Sequence, residues 1–74
     1  MWENISMGNN CFAKNLKELR LERGLGQVEL AKSIGVSKGI ISLWENGKRE
    51  PTMYYLILLA KFFETSIDSL VEFS

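Results

Sequence analysis

Glycine spacing constrains this chain more than any other feature. Gly24 and Gly26 bracket one break, Gly35 marks a second, Gly47 a third, and Pro51 follows at once. The stretches between these breaks run to about 8–12 residues, too short for helices that stand alone in water but suited to helices packed on one another. No stretch alternates polar and apolar residues with period two for long enough to make a strand. The expectation is an all-α chain, a compact five-helix bundle.

The segments carry helical signals of their own. Phe12, Leu16 and Leu19 recur on one face, with Lys14, Lys17, Glu18 and Glu22 away from it. Arg23 and Gly24 form a plausible helix end. From Gln27 to Ile34, Leu30, Ala31 and Ile34 face inward, with Gly26 as cap and Glu29 beside the positive helix start. Ser37 is a good cap for a third helix from Lys38 to about Asn46, with Ile41 and Trp44 inward. Thr52 caps a fourth, whose expected buried stripe is Met53, Leu56, Leu59, Ala60 and Phe63. Ser66 caps a short fifth, with Ile67 and Leu70 inward and Asp68 in its first turn.

With 74 residues, the chain has room for one domain. Residues 12–72 are expected to form it, with residues 1–11 as an N-terminal extension. No His and a single Cys, Cys11, leave almost no ligands for a metal site and no internal disulfide. No cofactor is implied, and so small a chain leaves little room for an enclosed catalytic pocket. The chain is expected not to be an enzyme. Its longest apolar stretch, Met53 to Ala60, falls well short of the roughly 20 residues of a membrane span. Residues 1–5 do not read as a signal peptide, which makes the sequon at Asn4 incidental and the cytoplasm the expected location.

Net charge is zero, which argues against a generic polyanion binder until it is resolved by position. Between Lys14 and Arg49 there are eight basic and four acidic residues, a net of +4. The remainder sets Lys61 against Glu3, Glu50, Glu64, Asp68 and Glu72, a net of −4. Such asymmetry hints at nucleic-acid contact through the central segment. That segment also holds two short helices joined by a tight turn, Gln27 to Trp44. Ala31 lets the helices approach closely and Gly35 permits positive φ. Val36, Ile41 and Trp44 seat the second helix and leave its opposite face free. This is a helix-turn-helix arrangement, whose second helix enters the major groove of double-stranded DNA.

The run from Leu16 to Ala31 resembles the first two helices of the phage-repressor family (Cro/repressor-type, or xenobiotic-response-element). The resemblance continues through Gly35-Val36-Ser37, the run Ile41 to Pro51, and Leu56, Ala60-Lys61, Asp68 and Leu70. It implies a lambda-repressor-like five-helix domain that binds operator DNA, usually as a dimer, and usually regulates transcription; the leading expectation for this chain is a small repressor acting as a dimer. It also implies site residues. Gln27 matches a phosphate-contacting glutamine, a role that free N–H groups at a helix start favour independently. Ser37, Lys38 and Gly39 open the recognition helix, and Ser42, Leu43 and Asn46 lie on or beside its exposed face. Lys48 and Arg49 fall in a loop along the DNA backbone. Arg20 and Glu45 match a structural ion pair, not DNA contacts.

Each of the polar residues named here also has a plain reading as solvated surface. The chain departs from the family at Gly39 and Leu43, where polar base-reading side chains are common, at Gly26, where Ser or Thr is usual, and at Glu64, where Gly is favoured. Tyr54, Tyr55, Leu58 and Phe62 lie outside the expected core stripe of the fourth helix. They are either covered by the last helix and Phe73 or form a partner surface, with a homodimer the favoured occupant. Trp2 and Ile5 are possible additions to it. The competing reading is a protein-interaction module, such as the antitoxin of a toxin–antitoxin pair, with a protein partner on the fourth helix.

Overall fold

Among the described residues, four left-handed positions separate the helices. The computed structural model describes residues 11–72, with α1 at Phe12–Glu22, α2 at Gln27–Ile34, α3 at Lys38–Glu45, α4 at Met53–Phe62 and α5 at Ile67–Val71. No strand occurs among the described residues. Positive φ angles fall at Gly24, Gly35, Gly47 and Glu64, one after each of the first four helices. Residues 1–10, including Trp2 and Ile5, lie outside the described residues, as does Phe73.

The helix starts use different chemistry. Ser37 Oγ accepts from the Ile40 N–H at 3.2 Å, and Ser66 Oγ accepts from the Ser69 N–H at 3.0 Å, so the two expected serine caps form. Gly26 has no side chain to offer, and Glu29 Oε1 instead reaches back to accept from the Gly26 N–H at 2.7 Å. Thr52 occupies the cap position of α4, but its hydroxyl makes no capping bond. Between α2 and α3, the N–H groups of Gly35 and Val36 both donate to the Ala31 carbonyl, at 2.9 and 3.0 Å. Gly35 sits at φ +80°, which a side chain would strain.

The core draws on all five helices: Phe12, Leu16, Leu30, Ala31, Ile34, Ile41, Trp44, Leu59, Ala60, Phe63 and Leu70 are buried. Trp44 sits among aromatic rings, edge-on to Phe12 at 6.2 Å and tilted against Tyr55 at 5.5 Å. α3 packs against both α2 and α1, which anchors its inner face.

Helix α4 differs from expectation. Met53, an expected core residue, is 59% exposed, whereas Leu56 is half-buried and packs against the core as expected. Tyr55 and Phe62, expected outside the core, are half-buried and pack against it. The physical reason is that Lys61 is the one charged residue of this helix, so the sequence holds little polar contrast to choose a face. Two polar side chains then tie the bundle together. Asn15 Nδ2 donates towards the Ser69, Leu70 and Glu72 carbonyls at 3.2, 3.0 and 3.1 Å, satisfying the end of α5. Arg23 Nη2 donates to the Phe63 carbonyl at 3.1 Å, with its guanidinium over the Phe63 ring.

Candidate nucleic-acid interface

The two faces of α3 do different work. Ile41 and Trp44 are buried against the core, and the turn residue Val36 is half-buried with them. Lys38, Gly39, Leu43 and Asn46 are all exposed on the other side. Ser42 is half-buried, and its Oγ accepts from Asn46 Nδ2 at 3.3 Å, so these two polar groups hold each other along the helix. The Ser37 oxygen accepts from the Ile40 N–H, and its hydroxyl hydrogen has no partner among the described residues.

Gly39 has no steric reason to be glycine. Its φ is not in the left-handed region, and an added Cβ would meet only Ser37 Oγ at 3.7 Å, an ordinary contact. A glycine inside a helix costs roughly 0.5–1 kcal/mol relative to alanine, yet nothing within the domain needs it here. It leaves the backbone at the start of α3 bare.

Arg20, Gln27 and Glu45 converge behind this surface. Arg20 Nε donates to Glu45 Oε2 at 2.7 Å, and Nη2 donates to Oε1 at 3.0 Å, a bidentate pair. Arg20 Nη1 donates to the Leu25 carbonyl at 2.8 Å. The side chains are 9% and 2% exposed, so this is an interior pair, as the sequence resemblance implied. The hydrogen bonds to Glu45 raise the Arg20 pKa above its ordinary value, and burial opposes them without prevailing. Gln27 Nε2 donates to Glu45 Oε1 at 3.1 Å, a link that joins the start of α2 to the end of α3. Spacing alone does not reveal that link, because Gln27 and Glu45 lie 18 residues apart.

Lys48 and Arg49 are exposed in the loop after α3. Arg49 borders an open groove that Val36, Ile40, Trp44 and Tyr55 line, with Glu50, Pro51 and Thr52 along its rim. On α4, Met53, Tyr54 and Ile57 are exposed, and Leu58 is half-buried beside them. Of the four residues read as either covered or part of a partner surface, the structure brings Tyr54 and Leu58 to this face and turns Tyr55 and Phe62 towards the core. Among the described residues no three His, Cys, Asp or Glu side chains group as a metal site, and no helix is long and apolar enough to cross a membrane.

The helix-turn-helix family matches residues 16–70, a span that takes in every element from within α1 to α5. The chain belongs to the helix-turn-helix family. Among curated members, it is 42% identical over 61 residues to the HTH-type transcriptional activator BcrR of Enterococcus faecalis, covering 82% of this chain. The chain spans 30% of that relative's length and about half of two others, from Vibrio cholerae and Bacillus subtilis. Among solved structures, the P22 c2 repressor in complex with a synthetic operator matches with a TM-score of 0.79 and 30% identity. That match covers 85% of this chain and 96% of the repressor chain. The helix-turn-helix fold also occurs inside an enzyme. Hydroxypropylphosphonic acid epoxidase from S. wedmorenis matches at 33% identity and a TM-score of 0.75, over 89% of this chain and 34% of that one.

Proposed function

We propose that this chain is a non-enzymatic, DNA-binding transcriptional regulator that lays α3 in the major groove of operator DNA and acts as a homodimer. The observation that carries this reading is the outer face of α3. It is exposed, held rigidly from behind by Ile41 and Trp44, and stripped of a side chain at Gly39 for no internal reason. A bare backbone there suits close approach by a ligand. Lys38 is placed to reach a guanine edge or a phosphate, and Leu43 offers apolar contact to a thymine methyl. Lys48 and Arg49 supply backbone charge neutralisation. The P22 c2 repressor supports this reading, since its structure holds an operator. BcrR is an activator, so the proposal is DNA-binding regulation, with repression as the favoured output.

Dimerisation follows from the small number of basic contacts per protomer. A two-fold pair sets two recognition helices about 34 Å apart on successive half-sites. The exposed α4 residues Met53, Tyr54 and Ile57, with Leu58, form the apolar face for that pairing. The same face is the observation behind the second reading, an antitoxin-like module with a different protein partner.

The test measures affinity for a duplex selected from a random pool, against salt, for wild type and for the Lys38→Ala/Lys48→Ala double variant. The slope of log affinity against log salt should become shallower by about 0.9 for each phosphate that is no longer neutralised. Negligible wild-type binding at low salt, or an unchanged slope, rejects DNA binding. Sedimentation of Tyr54→Glu separates the partners. A shift from dimer to monomer supports the homodimer, and a wild type that is monomeric even on DNA rejects it.

A further inference from the structure

We infer that Glu45 is a positioning residue for the DNA backbone contact: its carboxylate orients the Gln27 amide so that this side chain can donate to a phosphate. The inference rests on the DNA-binding reading above and adds to it a role for a buried group that does not itself touch DNA.

An amide side chain can present either its oxygen or its nitrogen, and a flexible glutamine samples both. An ionised carboxylate only accepts hydrogen bonds, so a Glu45 neighbour selects one of the two. Gln27 Nε2 faces Glu45 Oε1 at 3.1 Å, which uses one of its two hydrogens. Among the described residues neither the second hydrogen nor Gln27 Oε1 has a protein partner. The support is rigid, because the same carboxylate is held by Arg20 Nε at 2.7 Å and Nη2 at 3.0 Å and its side chain is 2% exposed. Arg20 also offsets the carboxylate's charge, so a phosphate approaching Gln27 does not meet an unbalanced anion. Gln27 stands at the first position of α2, where backbone N–H groups lack intrahelical partners and the helix dipole favours an anion. The Glu29 carboxylate, a competing anion at that end, is engaged by the Gly26 N–H at 2.7 Å. Gln27 is thus ordered before DNA arrives, and that ordering does not have to be bought from the binding free energy.

A merely structural Glu45 would hold the fold and so support every DNA contact equally. A positioning Glu45 acts through Gln27 alone. The two separate in a double-mutant cycle of Gln27→Ala and Glu45→Gln, with anisotropy measured on the pool-selected duplex at a temperature where circular dichroism shows every variant folded. Glu45→Gln should weaken binding by about tenfold when Gln27 is present, the scale of one hydrogen bond to a charged group. Combined with Gln27→Ala, it should add less than about twofold. Equal losses in both backgrounds overturn the inference. If wild type does not bind the duplex at all, the DNA-binding reading fails and this inference falls with it.

A second measurement needs no variant. The Gln27 side-chain amide of the free wild-type protein should show an NMR order parameter near that of rigid backbone, about 0.85, and a value below about 0.6 overturns prior ordering.

Discussion

Arg20→Met puts the interior ion pair to a quantitative test. The substitution keeps much of the side-chain bulk and removes three hydrogen bonds: two to Glu45, at 2.7 and 3.0 Å, and one to the Leu25 carbonyl, at 2.8 Å. Glu45, with 2% of its side chain exposed, is left with Gln27 as its remaining donor. Breaking one member of a buried pair costs about 3–5 kcal/mol, mostly through the charge left behind. At about 0.05–0.15 kcal/mol per residue, a domain of this length has on the order of 4–11 kcal/mol in total. The single variant should therefore lose roughly half its stability. Arg20→Met combined with Glu45→Met removes the stranded charge and should return to within about 2 kcal/mol of wild type, because apolar replacements of buried pairs are often nearly neutral.

Urea denaturation followed by far-UV circular dichroism reads all three stabilities, and the cycle gives the coupling. The pH dependence has a definite sign. The Arg20 pKa is raised in the folded state, so its contribution is fully present below the ordinary arginine value and is lost only as pH rises through the folded value. Arg20 itself therefore adds no pH dependence to the wild-type stability below about pH 10, well below where arginine titrates. A single-variant cost under about 1 kcal/mol, or a double variant no more stable than the single, would refute the reasoning.

Gly39→Ala should raise stability by about 0.5 kcal/mol while weakening duplex binding, since the added Cβ has room in the free domain. Thermal melting together with anisotropy checks the pair of effects, and a stabilised variant with unaltered affinity would show that nothing approaches that position. Glu64→Gly should stabilise by about 0.5–1 kcal/mol, relieving a non-glycine φ of +55° at the sacrifice of an exposed Arg23 ion pair at 3.9 Å. In melting, this appears as a rise of a few degrees, and a fall would show that the Arg23 pairing outweighs the backbone strain. Asn15→Ala should cost about 1–2 kcal/mol by freeing the carbonyls at the end of α5. Hydrogen exchange should then quicken in α5 first, and uniform quickening across the bundle would argue against a local clamp.

How much of this was legible in the sequence varies by residue. The helix boundaries were, because Gly24, Gly35 and Gly47 supply positive φ and Ser37 and Ser66 supply caps, all local effects. The Arg20–Glu45 pair came from resemblance, since either residue alone reads as surface charge. Four features were hidden. The inward turn of Tyr55 and Phe62 was, because an almost wholly apolar helix gives little contrast between faces. Asn15 was, because its partners are backbone carbonyls 54 to 57 residues away, which carry no side-chain signature. The Arg23 hold on Phe63 was hidden for the same reason. The Gln27–Glu45 bond was hidden because it depends on how the end of α3 lies against the start of α2.

The Asn15 clamp has a consequence for how such a domain is carried. Because Asn15 in α1 holds the carbonyl of Glu72, the polypeptide enters and leaves the bundle at one place. α5 packs chiefly on α1 and α4, so this shared doorway is built from helices other than the α2–α3 pair. A module with its two ends side by side can be attached to, or set within, a larger chain without being pulled apart. Similar segments make up under a third of a regulator and about a third of an epoxidase. Asn15 is the side chain that fastens α1 to the end of α5 in such a module.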